Sequence, residues 1–228
     1  MFTANGYYSQ LHGNYLFYEV GKRAAAFAAA HPKAELIRMG IGDVTRPLVP
    51  AVVEAMHTAV DDMSRAETFH GYGPDFGYEF LRQAILNRDY TARGVELDID
   101  EIFVSDGAKC DVGNIQELFS ENAIVAVTDP VYPVYVDTNV MSGRGGAFSE
   151  QKGGYEKIVY MAGGEQNGFV AELPRERVDV MYLCFPNNPT GVTLTKAQLK
   201  TYIDYARKNG TLILYDSAYE SYISDPSL

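Results

Sequence analysis

The chain of 228 residues is 46% hydrophobic, which is enough to bury the core of one large domain, or of one domain and part of a second. Its formal net charge of −11 argues against nucleic acid and anionic membrane surfaces as partners. The cysteines, Cys110 and Cys184, are too few for a disulfide framework. No signal peptide and no apolar stretch of membrane-spanning length stands out, so we expect a soluble, cytoplasmic protein.

The predicted elements of the first hundred residues are mostly helical. An aromatic arm covers residues 1–17, and we expect it to pack on its own domain or on a partner subunit. Helices are predicted over residues 18–30, from Pro50, and over about residues 78–91, with a strand-like run at residues 36–39. The glycine-rich loop around Tyr72 indicates either tightly bent backbone that presents this phenol or an ordinary surface turn.

From about residue 100 onward, strands and helices alternate along the chain. Short apolar runs predict buried strands at residues 101–104, 123–127, 158–161, 180–185 and 212–214. Thr195 and Gln198 have the spacing of a capping box, which opens a helix that ends before Gly210. This alternation predicts an α/β fold with a mostly parallel sheet flanked by helices.

Two turns that follow predicted strands have the composition of ligand sites. Residues 105–109, Ser-Asp-Gly-Ala-Lys, join a strand to a helix expected to start near residue 110, where free backbone N–H groups can bind an anion. Tyr132 lies between two prolines, where an aromatic ring either stacks on a flat ligand or belongs to the core. The four histidines lack metal-ligand spacing, and no Ser-His-Asp constellation stands out, so we expect no metal site.

Two further polar clusters follow strands late in the chain. Residues 186–191, Pro-Asn-Asn-Pro-Thr-Gly, come after one strand, and Asp216 and Tyr219 come after the next. Because ligands of an open parallel sheet bind outside the carboxyl ends of its strands, we expect these clusters to share one site. Together they resemble the signature of fold-type I pyridoxal-phosphate (PLP) aminotransferases. The resemblance implies that Asp216 keeps the pyridine nitrogen of PLP protonated, so that the ring can act as an electron sink.

The resemblance extends from about Tyr15 to the end of the chain and is closest to the LL-diaminopimelate aminotransferase family. It is carried by residues 40–45 (Gly-Ile-Gly-Asp-Val-Thr), 72–82, 105–111 and 129–135. It implies exchange of an amino group between LL-2,6-diaminopimelate and 2-oxoglutarate, which yields tetrahydrodipicolinate and glutamate in lysine biosynthesis. The implied partners are these small amino acids and 2-oxo acids and a second copy of the protein, in a homodimer with shared active sites.

The resemblance also implies roles for single residues. The expected cofactor contacts are Tyr72, Ala108, Lys109, Tyr132, Asn188, Asp216 and Tyr219. Ala108 and Lys109 would bind the phosphate, and Tyr72 would reach the phosphate held by the neighbouring subunit. Tyr132 would stack on the cofactor ring, while Asn188 and Tyr219 would hold its 3′-oxygen. The expected substrate contacts are Tyr15, Gly42, Lys109, Tyr132 and Asn188.

One functional residue of the family has no counterpart here. The Schiff-base lysine follows the Asp-x-x-Tyr segment in a Ser-x-x-Lys sequence, whereas this chain has no lysine after Lys208. No residue of the chain is therefore given a catalytic role, and we expect a C-terminally truncated enzyme whose 228 residues alone do not transaminate. Residues 1–45 would form an arm and the start of a small domain, and residues 46–228 an incomplete large PLP-binding domain.

Two alternatives remain open at this point. The protein could be another fold-type I aminotransferase, or a lyase, with a different substrate. It could also be a non-catalytic partner protein that kept the PLP fold without the Schiff-base lysine. Activity with LL-diaminopimelate, compared with aspartate or alanine, separates the expected enzyme from the first alternative.

Overall fold

The computed structural model describes residues 2–13, 16–39, 44–225 and 228, with Leu16 and Phe17 described by their backbone alone. The chain divides into two compact units. One contains Phe17–Asp106, and the other combines Met1–Leu16 with Gly107–Leu228.

The unit Phe17–Asp106 is built from helices. Its α-helices are α1 (Leu16–Ala30), α2 (Pro50–Met63) and α3 (Glu79–Ile85). Pro50 opens α2 at a first-turn position where its missing N–H is not needed, as predicted. The third predicted helix begins as α3 and continues as a π-helical turn, Leu86–Tyr90, and a 3-10 turn, Thr91–Arg93.

Two strands predicted in this unit are absent from the described residues, and these predictions were wrong. Residues 36–39 form no strand, and Ile37 and Met39 are exposed. Residues 101–104 contain the end of a 3-10 turn, Ile99–Glu101, and then irregular backbone in which Val104 N donates to Phe76 O at 3.0 Å. A short apolar run forms a strand only where a neighbouring strand completes the hydrogen-bond ladder. The apolar run alone does not indicate whether that neighbour exists.

Arg82, on α3, binds the segment of residues 99–102 near the end of this unit. Its side chain is only 8% exposed. The guanidinium donates to Ile102 O at 2.9 Å and to Ile99 O at 2.6 Å, and forms an ion pair with Asp100 at 3.0 Å. The planar array of five donors suits such convergent carbonyl and carboxylate acceptors, so Arg82 fixes the segment that leads out of the unit.

The second unit contains a four-stranded sheet with an attached hairpin, within the residues that the structure describes. Its elements in chain order are α4 (Ala108–Asn114), β1 (Val125–Asp129), α5 (Pro133–Met141), β2 (Phe148–Ser149), β3 (Gly154–Tyr155), β4 (Ile158–Ala162), β5 (Val180–Cys184), α6 (Lys196–Asn209) and β6 (Leu212–Asp216). The strand order is β4-β1-β5-β6 and every pairing is parallel, while β2 and β3 pair antiparallel.

Alternate residues of the strands face two hydrophobic cores, one on each side of the sheet. The first core contains Val125, Val127, Tyr135, Val140, Ile158, Val180, Tyr182 and Cys184. The second contains Ala126, Met161, Met181, Leu183, Phe185 and Tyr202. Because α5 supplies the first core and α6 the second, helices cover both faces of the parallel sheet, which confirms the predicted α/β fold.

The helix α6 begins and ends as its sequence predicts. Thr195 Oγ1 accepts the backbone N–H of Gln198 at 3.2 Å, and Gln198 Oε1 accepts the N–H of Thr195 at 2.8 Å. This reciprocal capping box satisfies donors that the first turn leaves free. Gly210 follows the helix at φ +67°, a left-handed conformation that favours glycine.

The aromatic arm packs on the second unit, one of the two arrangements expected. Asn5 Nδ2 donates to Met141 O at 3.0 Å, at the end of α5. The backbone N–H of His12 donates to the Tyr155 hydroxyl at 2.7 Å, and the His12 ring stacks on Phe148 at 3.8 Å. The arm is thus held by both α5 and the β2–β3 hairpin.

The strand order places a topological switch point at the carboxyl ends of β1 and β5. In the sheet, β4 is the neighbour of β1 on one side, and β5 is its neighbour on the other side. Helices after β1 and β5 therefore leave on opposite faces, and a crevice opens between the carboxyl ends of these strands.

Among the described helices, none combines the length and apolar character needed to cross a bilayer.

Candidate active site

Three adjacent strands bring predicted site residues to the same edge of the sheet. Tyr132 lies just beyond the end of β1 and is the N-cap of α5. Asn188 follows β5, and Asp216 is the last residue of β6. Since β1, β5 and β6 are neighbours and run parallel, their carboxyl ends meet here.

A cavity of about 410 Å³ lies at this edge, within the size range of small-molecule sites. Its walls come from the α4 region, from α5 and β5, and from the end of β6 with the turn after it. The lining residues are Ala108, Asp111, Val112, Ile115, Tyr135, Tyr182, Leu214, Tyr215, Asp216, Ser217 and Ala218. Two of the predicted cofactor contacts, Ala108 and Asp216, therefore share one cavity.

The Asp216 carboxylate is held by one hydrogen bond to each oxygen. Tyr135 donates its hydroxyl proton to Oδ2 at 2.7 Å, and the backbone N–H of Ala218 donates to Oδ1 at 3.1 Å. Burial and the hydrogen bond to Asp216 raise the pKa of Tyr135 well above its usual range. Tyr135 therefore stays protonated and acts as the donor.

The ring of Tyr135 is fixed by a buried polar network behind the cavity. It stacks on Tyr182, with ring centroids 5.1 Å apart and planes 20° from parallel. The Tyr182 hydroxyl accepts from Gln116 Nε2 at 2.5 Å and from Asn139 Nδ2 at 3.3 Å. Arg144, only 3% exposed, donates to Asn139 Oδ1 at 2.9 Å and to Gln116 O at 3.2 Å. Burial lowers the pKa of Arg144, and these acceptors compensate for its lost hydration.

The turn after β5 is organised by Asn187. Its Nδ2 donates to Thr190 Oγ1 at 2.9 Å, and its carbonyl accepts the N–H of Gly191 at 2.7 Å. Gly191 has φ +71°, which the turn requires and glycine adopts without strain. Within the described residues, Asn187 Oδ1 is buried and has no hydrogen-bond partner. Such an orphaned acceptor is typical of sites that a further group completes.

Cys184 connects this turn to the Tyr135–Asp216 pair. The thiol is buried in the same core as Tyr135, and Cys184 pairs with Asp216 across the strands β5 and β6. It also donates to Pro186 O at 3.4 Å. Burial is the largest influence on the pKa of Cys184 and raises it, so the thiol remains neutral.

Two further predicted cofactor residues, Ala108 and Lys109, lie at the start of α4. Ala108 begins α4 directly after Gly107, whose φ is +135°, so the helix starts two residues earlier than predicted. Lys109 is exposed, and its positive charge opposes the burial that raises the pKa of Asp137 on α5.

Two aromatic candidates, Tyr132 and Tyr219, are not among the residues that line the cavity. The half-buried ring of Tyr132 meets Tyr135 edge to face, with centroids 5.5 Å apart. Tyr219 is exposed, and its ring lies 6.3 Å from that of Tyr222.

Of the other predicted residues, one belongs to the other compact unit and two lie outside the described residues. Tyr72 belongs to the other compact unit, where it is fully exposed on the glycine-rich loop. Tyr15 and Gly42, both predicted to contact substrate, lie outside the described residues. In the part of the chain described, no group of three or more His, Cys, Asp or Glu residues is arranged to hold a metal ion.

The residues that the sequence analysis missed are Tyr135, Tyr182 and Cys184. A signal for Tyr135 exists, because it follows Tyr132 by three positions on a helix opened by Pro133. Residues three apart on a helix share a face, so Tyr135 could have been placed with Tyr132. Tyr182 and Cys184 alternate with core residues on β5, and nothing local distinguishes them from ordinary buried side chains.

Comparison with known proteins identifies the family. Residues 34–227 match the model of the aminotransferase class I and II family. The chain is 58% identical over 225 residues to an LL-diaminopimelate aminotransferase of Agathobacter rectalis, covering 99% of this chain and 56% of that protein. It is 57% identical over 224 residues to one from Methanosphaera stadtmanae, covering 98% and 54%.

Solved structures agree with this comparison. The structure of L,L-diaminopimelate aminotransferase from Chlamydomonas reinhardtii superposes with a TM-score of 0.90 and 40% identity, over 99% of this chain and 55% of that one. An aspartate aminotransferase from Thermotoga maritima, at 19% identity and a TM-score of 0.76, shares the fold. The chain spans about half the length of the curated relatives it matches. The chain belongs to the aminotransferase class I and II family.

Proposed function

We propose that the protein carrying this chain is a PLP-dependent aminotransferase. It would exchange an amino group between LL-2,6-diaminopimelate and 2-oxoglutarate in lysine biosynthesis. The observation that carries this proposal is identity of 56–58% across nearly the whole chain to several enzymes named LL-diaminopimelate aminotransferase. The arrangement around Asp216 supports the cofactor.

The acceptor capacity of Asp216 fits PLP. An ionised carboxylate offers about four acceptor positions, and Tyr135 and Ala218 occupy one on each oxygen. Capacity therefore remains on the cavity wall for the N–H of a pyridinium ring. The negative charge of Asp216 would keep that nitrogen protonated, and bound PLP would then supply an electron sink for the substrate's α-carbon.

The remaining roles are proposed from the family. Ala108 and Lys109 would contact the phosphate, and Ala108 supports this by lining the same cavity as Asp216. Tyr132 would cover one face of the ring, and Asn188 and Tyr219 would hydrogen-bond its 3′-oxygen. The proposed substrate contacts are Tyr15, Gly42, Lys109, Tyr132 and Asn188.

Two statements about the whole protein belong to the same proposal. A homodimer with shared active sites is supported by Tyr72, whose fully exposed phenol is available to a neighbouring subunit. A cytoplasmic location is supported by Cys110 and Cys184, which do not form a disulfide bond.

In this scheme the residues of this chain bind PLP and orient its ring. The Schiff-base lysine is proposed to lie outside these 228 residues. Tyr135 remains neutral and fixes the carboxylate. Asp216 would hold a proton at the nitrogen of a bound PLP ring, and Tyr132 would exclude water from one face of that ring. Domains are proposed as an arm and the start of a small domain over residues 1–45, followed by part of a large PLP-binding domain over residues 46–228.

The proposal is tested with the product of the complete reading frame, purified with PLP. We expect a PLP absorption band that persists through gel filtration, and glutamate formation from 2-oxoglutarate that is far faster with LL-diaminopimelate than with aspartate or alanine. Faster turnover of aspartate or alanine would assign a different substrate. A protein that retains no PLP would contradict the proposal altogether. Asp216→Asn should reduce the PLP that remains bound through gel filtration. Asp204→Asn, which changes an exposed carboxylate paired with Lys200, is its matched control and should not.

A further inference from the structure

We propose that Tyr135 is a positioning residue for Asp216, and that Cys184 joins this pair to the turn after β5 that contains Asn188. The inference deepens the proposed function and rests on it, because it assigns residues that set the geometry of the proposed PLP ring contacts. Neither Tyr135 nor Cys184 would itself touch the ring nitrogen. Each would act through its neighbour.

The first step is the partner that Tyr135 selects. Other buried tyrosines of this unit donate to main-chain carbonyls, Tyr202 to Ala171 O and Tyr155 to Gln10 O. Tyr135 instead donates to a side-chain carboxylate on the cavity wall, 81 residues away in sequence. A hydrogen bond to an ionised acceptor is stronger than one to a carbonyl, so this bond constrains the Asp216 side chain more than ordinary packing does.

The second step is the rigidity of the donor. The Tyr135 ring is 2% exposed and stacks on Tyr182. The Tyr182 hydroxyl is held from two sides by the amide donors of Gln116 and Asn139. The position of the Tyr135 hydroxyl oxygen is therefore fixed, and its hydrogen bond to Asp216 holds the carboxylate against it.

The third step is the link to the neighbouring strand. Cys184 is paired with Asp216 in the β5–β6 register, so its thiol and the carboxylate start from adjacent positions. The thiol packs in the same buried core as Tyr135 and donates to Pro186 O at 3.4 Å, at the start of the turn that contains Asn188. A displacement of this turn would therefore move Cys184, and with it the packing around Tyr135 and Asp216.

The test compares Tyr135→Phe with the unsubstituted complete protein, using PLP labelled with ¹⁵N in its ring. The chemical shift of the ring nitrogen reports its protonation independently of turnover. We expect roughly tenfold weaker PLP binding, the effect of one lost charge-assisted hydrogen bond, together with a changed nitrogen shift. Tyr202→Phe, which removes a buried hydroxyl of the second core, is the control and should leave the nitrogen shift unchanged.

A double-substitution cycle separates positioning from stability. If Tyr135 acts through the carboxylate, Tyr135→Phe should have little further effect on PLP affinity in an Asp216→Asn background. Full additivity would overturn the inference, and so would a Tyr135→Phe protein with unchanged affinity and nitrogen shift. Should Tyr135→Phe fail to fold, Cys184→Ala keeps the ring in place, and the inference requires a smaller shift of the nitrogen signal in it. Failure of the unsubstituted protein to bind PLP would overturn the proposed function and this inference with it.

Discussion

Cys184 and Asp216 are paired residues at the carboxyl ends of the adjacent parallel strands β5 and β6. One precedes the turn that contains Asn188, and the other carries the carboxylate of the candidate site. Because the pairing fixes how far each strand extends, it also fixes the separation of the two proposed ring contacts. A slip of one residue in this register would turn one of these side chains to the other face of the sheet.

Removing the charge of Asp216 should weaken PLP binding. Asp216→Asn keeps the size of the side chain but leaves a neutral group opposite the ring nitrogen. We expect PLP affinity to fall by roughly ten- to a hundredfold, the effect of losing a hydrogen bond to a charged group, as measured by equilibrium dialysis. Unchanged affinity would show that Asp216 does not contact the cofactor.

Replacing Arg144 should destabilise the second unit. Arg144→Lys keeps the positive charge but cannot reach both Asn139 and Gln116 with one ammonium group. Buried acceptors lose their donor, and we expect the free energy of unfolding to fall by about 2 to 4 kcal/mol in urea titrations. Arg177→Lys, at an ion pair between the exposed Arg177 and the half-buried Asp179, is the control and should change the free energy of unfolding by less than about 1 kcal/mol. Equal effects of the two substitutions would contradict the buried network.

Gly77 should not tolerate a side chain. It has φ +95°, and an added Cβ would lie 2.6 Å from Cβ of Val104. Both the backbone strain and the clash act against alanine, so Gly77→Ala should lower the free energy of unfolding by about 2 kcal/mol or more.

The same glycine-rich loop provides a control for this prediction. Gly71 has no atom within 4 Å of an added Cβ and no positive φ. Gly71→Ala should therefore change the free energy of unfolding by less than about 1 kcal/mol. Similar losses at Gly71 and Gly77 would contradict the packing of this loop.

Stability should fall at alkaline pH, in part because of Tyr202. Burial raises the pKa of Tyr202 from 10.0 to about 12. The unfolded chain therefore loses this proton first, so the contribution is fully present below pH 10 and is lost between about pH 10 and pH 12. Unfolding titrations across this range should show a decline to which Tyr202 contributes about 2 to 3 kcal/mol. The decline should be smaller in Tyr202→Phe, and an identical decline in both proteins would refute the assignment.

The sheet of the second unit could be predicted because its strands are buried on both faces. Continuous apolar runs such as residues 180–185 became β5, and the capping box at Thr195 marked the start of α6. The runs at residues 36–39 and 101–104 look the same in sequence, yet they form no strand in the described structure. Hydrophobicity reports that a segment tends to be buried, and the partner that would complete a ladder lies elsewhere in the chain.

From the sequence, the candidate site could be predicted only for residues that lie at the ends of predicted strands. Tyr132, Asn188 and Asp216 follow strands that proved to be neighbours, so parallel pairing brings them to one edge. The bond from Tyr135 to Asp216 joins residues 81 positions apart, and no local pattern encodes it. Long-range side-chain contacts of this kind depend on the packing of α5 against β5 and β6.

The most direct test of the proposed activity follows the transferred nitrogen itself. The complete protein is incubated with LL-diaminopimelate labelled with ¹⁵N in its amino groups, unlabelled 2-oxoglutarate and PLP, and the glutamate is analysed by mass spectrometry. Transamination predicts one ¹⁵N atom in each new glutamate molecule, with tetrahydrodipicolinate formed in equal amount. Absence of labelled glutamate, while PLP remains bound, would contradict the assignment of this substrate.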